Sequence, residues 1–228
     1  MRSDARKEPP VPPAVLTINS RNYGAWSLRG WLLCRRSGLD FTVKVIDSQD
    51  PDARAELLML SPSLLVPRLA HGDIDVWSTL AIAEYLHELF PERGLLPAAT
   101  ADRTRCRSVS GEIQSGFANL RAALPMNLKA VHPGFPVWAG ARADLDRIED
   151  IWSECLDKSN GPYLFGDTFT LADAMFAPVC TRIRTYDVKV GAVADEYTDT
   201  ILGLPEMVEW TDEAMREPDD VEELEMEF

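Results

Sequence analysis

The chain has 228 residues, 46% of them hydrophobic and 26% charged, with a formal net charge of −14. That length and apolar content allow one large or two small packed domains and exclude wholesale disorder. The acidic balance excludes nucleic acid as a partner, which calls for a basic face, and no run is long and apolar enough to span a membrane. Residues 1–13, MRSDARKEPPVPP, are charged and Pro-rich, so they read as a disordered leader and not as a secretory signal. The four cysteines (Cys34, Cys106, Cys155 and Cys180) form no C-x-x-C pair and have no histidine at ligand spacing. They read as reduced, buried thiols of a cytoplasmic protein, with no metal site. Charge is unevenly spread. Met1–Pro97 carries 11 basic and 12 acidic residues, whereas 11 acidic residues and one basic follow from Glu206 on. Residues 218–228 are therefore expected to be a solvated, frayed acidic tail.

Ala14 to Asn19 (AVLTIN) reads as a first strand and Phe41 to Ile46 (FTVKVI) as a second. Between them Leu28, Trp31, Leu32 and Arg35 lie at helical spacing, stopped by Gly38. Asp50-Pro51 opens a further helix carrying Ala55, Leu57, Leu58 and Leu60 that stops at Ser61-Pro62. The stretch from Val66 to Leu86 then gives a proline-led strand (Arg68 to Ala70), a turn at His71-Gly72-Asp73 and a strand from Ile74 to Val76. A helix follows, starting at Ser78-Thr79. Two hydroxyl residues at a helix start are caps, and they stand where free amides and the helix dipole attract a carboxylate. A cis bond at Val66-Pro67 turns the backbone outward to offer hydrogen bonds to an extended peptide.

PERGLLPAAT, around residues 92–100, reads as an interdomain linker. Almost no strand signal follows it. Asp102 to Leu124 and Val137 to Lys158 are helical by their apolar spacing, and Pro205 starts a last helix through Met207, Val208 and Trp210. Thr170-Leu-Ala-Asp173 is a capping box before a helix apolar on nearly all sides, expected to be the buried centre of this half.

Val66-Pro67, Ser78-Thr79, Ala81-Ile82 and Tyr85-Leu86, followed later by GPYLFGDTFTLADAMFAPV, resemble the glutathione S-transferase family from about Val15 to Arg216. The resemblance implies a thioredoxin-like βαβαββα domain (residues 14–91) joined to an all-helical C-terminal domain (residues 101–217). It also implies glutathione as co-substrate, a small electrophile that glutathione conjugates, isomerises or reduces, and a homodimer. The thiol should meet the start of the first helix, where the bacterial branch reads N-Y-S-S-W-S-L-R-x-W. Here the segment is Asn22-Tyr23-Gly24-Ala25-Trp26-Ser27-Leu28-Arg29, so both serine positions are lost. Ser27 and Tyr23 become the candidate catalytic residues, with Gly24, Ala25, Trp26, Val66, Pro67, Ser78 and Thr79 as the glutathione-binding set. Ser78 stands where the family has an acidic residue or glutamine, and Leu64-Leu65 where polar residues are commoner, so weaker glutathione binding is expected.

The co-substrate pocket is expected from Gln114, Ser115, Phe117 and Arg121 on one helix, opposite Tyr23 and Trp26. Arg182 and Arg184 either meet an acidic co-substrate or are structural. Cys34 lies about two turns too far along its helix for a cysteine-based mechanism. Two readings of the lost serines follow: a transferase whose thiol is held by backbone amides, Ser27 or Tyr23, or a non-catalytic ligand-binding protein on the same fold. On the first reading, a serine put back at position 24 raises activity.

Overall fold

A computed structural model describes residues 13–46 and 65–218. The expected leader up to residue 12, the helix opened by Asp50-Pro51 and the tail beyond residue 218 lie outside the described residues.

Among the described residues four short strands form one sheet in the order β2-β1-β3-β4. β1 (Ala14–Ile18) pairs in parallel with β2 (Phe41–Val45) and antiparallel with β3 (Arg68–His71), which forms a hairpin with β4 (Ile74–Trp77). The β-branched, apolar AVLTI run suits the central place, with Leu16 and Ile18 fully buried. α1 (Ala25–Ser37) connects the parallel pair and buries Leu28, Leu32 and Cys34. It stops at Gly38, whose φ is 77°. α2 (Thr79–Leu89) follows β4 directly and packs on α1.

The rest is helical: α3 (Thr100–Ser115), α4 (Ala118–Ala123), α5 (Ala139–Ser159), α6 (Leu171–Thr185), α7 (Ala192–Leu202) and α8 (Pro205–Ala214). α6 is the centre of this half and packs on α1, α3 and α7. Its capping box forms as its sequence dictates. Asp173, fully buried, accepts from Thr170 N and Oγ1 (both 2.8 Å), Leu164 N (3.0 Å) and the Tyr197 hydroxyl (3.0 Å). A buried carboxylate needs that many donors to replace lost water. Arg29 of α1 donates its Nε to the carbonyl of Met175 in α6 (2.8 Å), so the two halves share a hydrogen-bonded core. The linker is pinned as well, Leu171 N donating to Leu95 O (2.8 Å).

Three expectations need correction. The single helix from Asp102 to Leu124 is two, because the chain leaves helical geometry at Gly116 and Phe117, the latter at φ 60°. α7 has no counterpart among the elements expected from the sequence, although Ala194, Tyr197, Thr198 and Ile201 bury at helical spacing. Asp195 and Asp199 compete for backbone hydrogen bonds and the β-branched Thr198 and Thr200 lower helix propensity, which masks that signal. Finally, the acidic excess beginning at Glu206 is not wholly a solvated end. Glu206, Glu209 and Glu213 pair with Arg36 (3.0 Å), Arg35 (2.6 Å) and Arg21 (2.8 Å) of the first half.

All four cysteines are free and buried. Burial pushes the Cys34 and Cys180 thiols well above their ordinary value and Cys106 up to about 12, so they are not standing thiolates. Among the described residues there is no helix long and apolar enough to cross a membrane.

Candidate active site

Sheet register assembles the site. Arg68 faces Trp77 across β3 and β4, and faces Thr17 across β3 and β1. One further step in the same register sets Pro67 beside Ser78 on one side and Ile18 on the other. The exit of β1, the entry to β3 and the exit of β4 therefore share one end of the sheet. There the chain places the start of α1, the Val66-Pro67 bond and the start of α2. The Val66-Pro67 bond is cis.

α1 lies directly against that bond. A Cβ built on Gly30 would stand 2.6 Å from Pro67 Cγ and 2.7 Å from its Cβ. Glycine at that position is what lets the helix approach the proline ring, since only a residue without a Cβ fits.

The approach to α1 is a tight, hydrogen-bonded loop. Gly24 N donates to Ser20 O (3.1 Å) and Ala25 N to Tyr23 O (3.0 Å). With φ −80° and ψ 73°, Gly24 is the centre of an inverse γ-turn. A Cβ at Gly24 would fall 2.1 Å from Ser20 O and 2.4 Å from Asn19 Oδ1. A serine side chain at this position therefore meets the backbone of this loop, which speaks against the expectation that serine here raises activity. At Ala25, buried at 1% exposure, the side chain faces the core.

Ser27 is fully buried. Its hydroxyl donates to Asn19 Oδ1 (2.6 Å) and accepts from Asn19 N (3.3 Å). The hydroxyl hydrogen is thereby committed inside the protein, which corrects the expectation of a direct donor to a bound thiol. The helix start itself still offers donors. Among the described residues the amide hydrogens of Trp26 and Ser27 have no acceptor, as the first turn of a helix leaves them. Trp26 is half-buried beneath the Arg29 guanidinium, 4.1 Å from its ring centroid, and Tyr23 is half-buried in the loop.

At the start of α2, Ser78 sits at φ 72°, a left-handed setting that costs a non-glycine residue about 1–3 kcal/mol and clusters at functional positions. Thr79 is 1% exposed, and its Oγ1 has no hydrogen-bond partner among the described residues. From α3 of the second half, Gln114 Nε2 approaches Ser78 Oγ at 3.4 Å. Gln114 Oε1 is buried without a partner among the described residues. Three polar groups from two domains thus converge at a helix start with hydrogen-bonding capacity unspent.

The other residues expected beside Gln114 have different duties. Ser115 is exposed and donates to Gly111 O of its own helix (2.9 Å). Phe117 belongs to the core at 8% exposure. Arg121 donates to the carbonyls of Gly116 and Ile113, closing the end of α3. The break after Ser115 accounts for this, because it resets the helical phase on which a common face for residues 114–121 depended. Arg182 is buried at 1% exposure and donates to Leu124 O (2.7 Å), while Arg184 pairs on the surface with Asp195 (2.8 Å) and Asp199 (2.6 Å). Both are structural.

A four-stranded mixed sheet with a cis-proline at its site end, joined to a helical domain, defines a two-domain glutathione-transferase-like architecture. Comparison with known proteins agrees. Residues 23–89 match the glutathione S-transferase N-terminal domain and residues 135–213 the glutathione S-transferase C-terminal domain. Glutathione S-transferase 1 of Dianthus caryophyllus is 31% identical over 156 residues, covering 68% of this chain and 70% of the relative. A probable maleylacetoacetate isomerase of Caenorhabditis elegans is 25% identical over 201 residues, covering 85% and 91%. The crystal structure of a glutathione transferase homolog from Burkholderia, with bound glutathione, has a TM-score of 0.68 and 22% identity. It covers 90% of this chain and 100% of that one. The chain belongs to the glutathione S-transferase family.

Proposed function

We propose that this protein is a cytoplasmic, homodimeric glutathione-dependent enzyme that brings the glutathione thiolate to a small electrophile, for conjugation or isomerisation. The observation that carries the reading is the Thr79 hydroxyl, shut from water yet unpartnered among the described residues at the dipole-positive start of α2. A buried hydroxyl without a partner costs about 1–3 kcal/mol, a cost that a bound carboxylate removes.

In this reading the γ-glutamyl carboxylate sits at Thr79 and the amides of α2. Its ammonium meets the neutral acceptors Ser78 and Gln114, a weaker substitute for an acidic side chain. The peptide main chain runs along Val66 ahead of Pro67. The thiol reaches the start of α1, where the Trp26 and Ser27 amides and the helix dipole favour the thiolate. Gly24 and Ala25 shape that corner through their backbone, and Tyr23 and Trp26 wall it. The thiolate sulfur then forms a bond to an electrophilic carbon. A leaving group departs with its electron pair in conjugation; in isomerisation the sulfur adds across a double bond and is expelled after rotation. Ser27 acts by holding Asn19 and the loop, not by touching sulfur.

Calorimetric titration with glutathione, alongside conjugation to a chromogenic aromatic electrophile, tests this. Glutathione binding with measurable turnover is expected, and turnover should survive Ser27→Ala at reduced stability. Absence of binding overturns the reading; binding without turnover against a panel of electrophiles leaves a non-catalytic binding protein in its place.

A further inference from the structure

The carboxylates of α8 make a ladder whose last rung differs from the others. Glu206, Glu209 and Glu213 recur at helical spacing and meet Arg36, Arg35 and Arg21 in turn. Glu217, just past the helix, ends instead on the loop that leads into α1. Its carboxylate accepts from Arg21 N (2.7 Å), Asn22 N (3.2 Å) and Ser20 Oγ (2.7 Å), with the Arg21 guanidinium 3.9 Å away. Ser20 Oγ in turn accepts from the amides of Asn22 (3.0 Å) and Tyr23 (3.1 Å). The same stretch is held from two more sides. Trp210 Nε1 donates to Arg21 O (3.0 Å), and Lys129 N to Asn22 Oδ1 (3.0 Å). Lys129 Nζ also donates to the Glu217 carbonyl, fixing the backbone that carries the carboxylate.

We infer that Glu217 is a positioning residue for the thiol end of the site, acting through Ser20 and the amides of the 20–23 loop. The inference rests on the functional reading above, since it is that reading that makes the start of α1 the thiol site. Ser20 to Tyr23 lie outside helix and strand, so side-chain hydrogen bonds set their course. Bonds from backbone amides to a carboxylate are about twice as strong as neutral ones. Glu217 is 18% exposed, so water replaces it poorly. Removing the carboxylate frees the Arg21 amide and the Ser20 hydroxyl at once and leaves Asn22 N on Ser20 Oγ alone, and Ser20 is the acceptor that orients Tyr23. Gly24 N also depends on this turn, through Ser20 O. The rungs at Arg35 and Arg36 hold the far end of α1 and cannot substitute for this contact.

The test uses the full chain as wild type, Glu217→Ala, Glu217→Gln and Glu209→Ala. Four quantities are read: melting temperature, amide hydrogen exchange at residues 21–24 without ligand, thiolate absorbance of bound glutathione at neutral pH, and kcat and KM separately. Glu217→Ala is expected to speed exchange at Arg21 to Tyr23 about tenfold or more. It should lower kcat and the bound thiolate fraction about tenfold, with KM changed less than about threefold, because a displaced donor set costs reactivity more than binding. Glu217→Gln keeps one acceptor oxygen and should fall between. Glu209→Ala should lower the melting temperature without touching exchange, thiolate or kcat. Wild-type exchange and kcat in Glu217→Ala overturn the inference, as does a matching loss in Glu209→Ala at equal melting temperature. If wild type itself does not bind glutathione, the functional reading falls and the positioning role with it, whereas unchanged exchange in Glu217→Ala, with a wild type that does bind, removes Glu217 alone.

Discussion

Serine put back at position 24 is the most revealing single change. The family resemblance makes it a gain: it restores a hydroxyl where the thiol partner is expected, at a helix cap that prefers serine over glycine by a few tenths of a kcal/mol. The geometry reverses the sign. Any Cβ at this position lies 2.1 Å from Ser20 O, a backbone atom that cannot swing aside as a side-chain tip does. Ordinary carbon–oxygen contacts are about 3.3–3.6 Å, so the loop must yield by about 1 Å or more. Such overpacking costs about 1–3 kcal/mol. For a chain of this size about 2 kcal/mol corresponds to about 4–8 °C in melting temperature. The movement falls on the loop that presents the Trp26 and Ser27 amides, so turnover should drop with stability. Gly24→Ser and Gly24→Ala, compared by thermal melting and glutathione conjugation, separate clash from hydroxyl, and both should lose about equally. A Gly24→Ser protein that melts with wild type and turns over faster would refute the steric argument.

Gly30→Ala poses a similar conflict inside a helix, where propensity alone offers about 1 kcal/mol of stabilisation. Contact with the Pro67 ring at 2.6 Å should cost about 1–3 kcal/mol and lower the urea midpoint; an unchanged or higher midpoint disproves the close approach. Thr79→Val removes the unpartnered hydroxyl while keeping the branched shape. Stability without ligand should hold or rise, yet glutathione affinity measured by calorimetry should fall about tenfold, or about 1.4 kcal/mol. Equal affinity in the variant takes Thr79 out of the site. Glu84 and Arg107 link α2 to α3 through two hydrogen bonds (2.7 and 2.8 Å), and the guanidinium lowers the Glu84 carboxyl below its ordinary 4.5. Because the folded value is the lower one, the stabilisation is present above the unfolded value and is lost as pH falls through the folded one. The melting-temperature gap between wild type and Glu84→Gln should therefore be open at pH 7 and narrow as pH falls below the ordinary carboxylate range, and a gap that persists unchanged in acid contradicts the assignment.

What the chain determines by itself is local. The AVLTI and FTVKV runs, the stop at Gly38 and the capping box from Thr170 to Asp173 follow from side-chain period and short-range hydrogen bonding. Each is readable within a few residues. The resemblance of Val66-Pro67 and Ser78-Thr79 to a tripeptide site belongs to the same level, since both motifs lie within one hairpin-and-helix stretch. α7 is the local element that composition hid.

Only the tertiary structure decided which of those residues face the site. Ser27 and Phe117 carry plausible chemistry in sequence, but one is turned to Asn19 and the other into the core. The need for glycine at 24 and 30 comes from atoms of Ser20 and Pro67, which no helical pattern reports. The glutamates at 206, 209, 213 and 217 are only an acidic surface in sequence until α8 is laid against α1, and their partners lie some 170 to 200 residues earlier. A period fixes which face of an element is apolar; what stands against that face is set by packing between segments far apart in the chain, where close approach and ion pairing are decided.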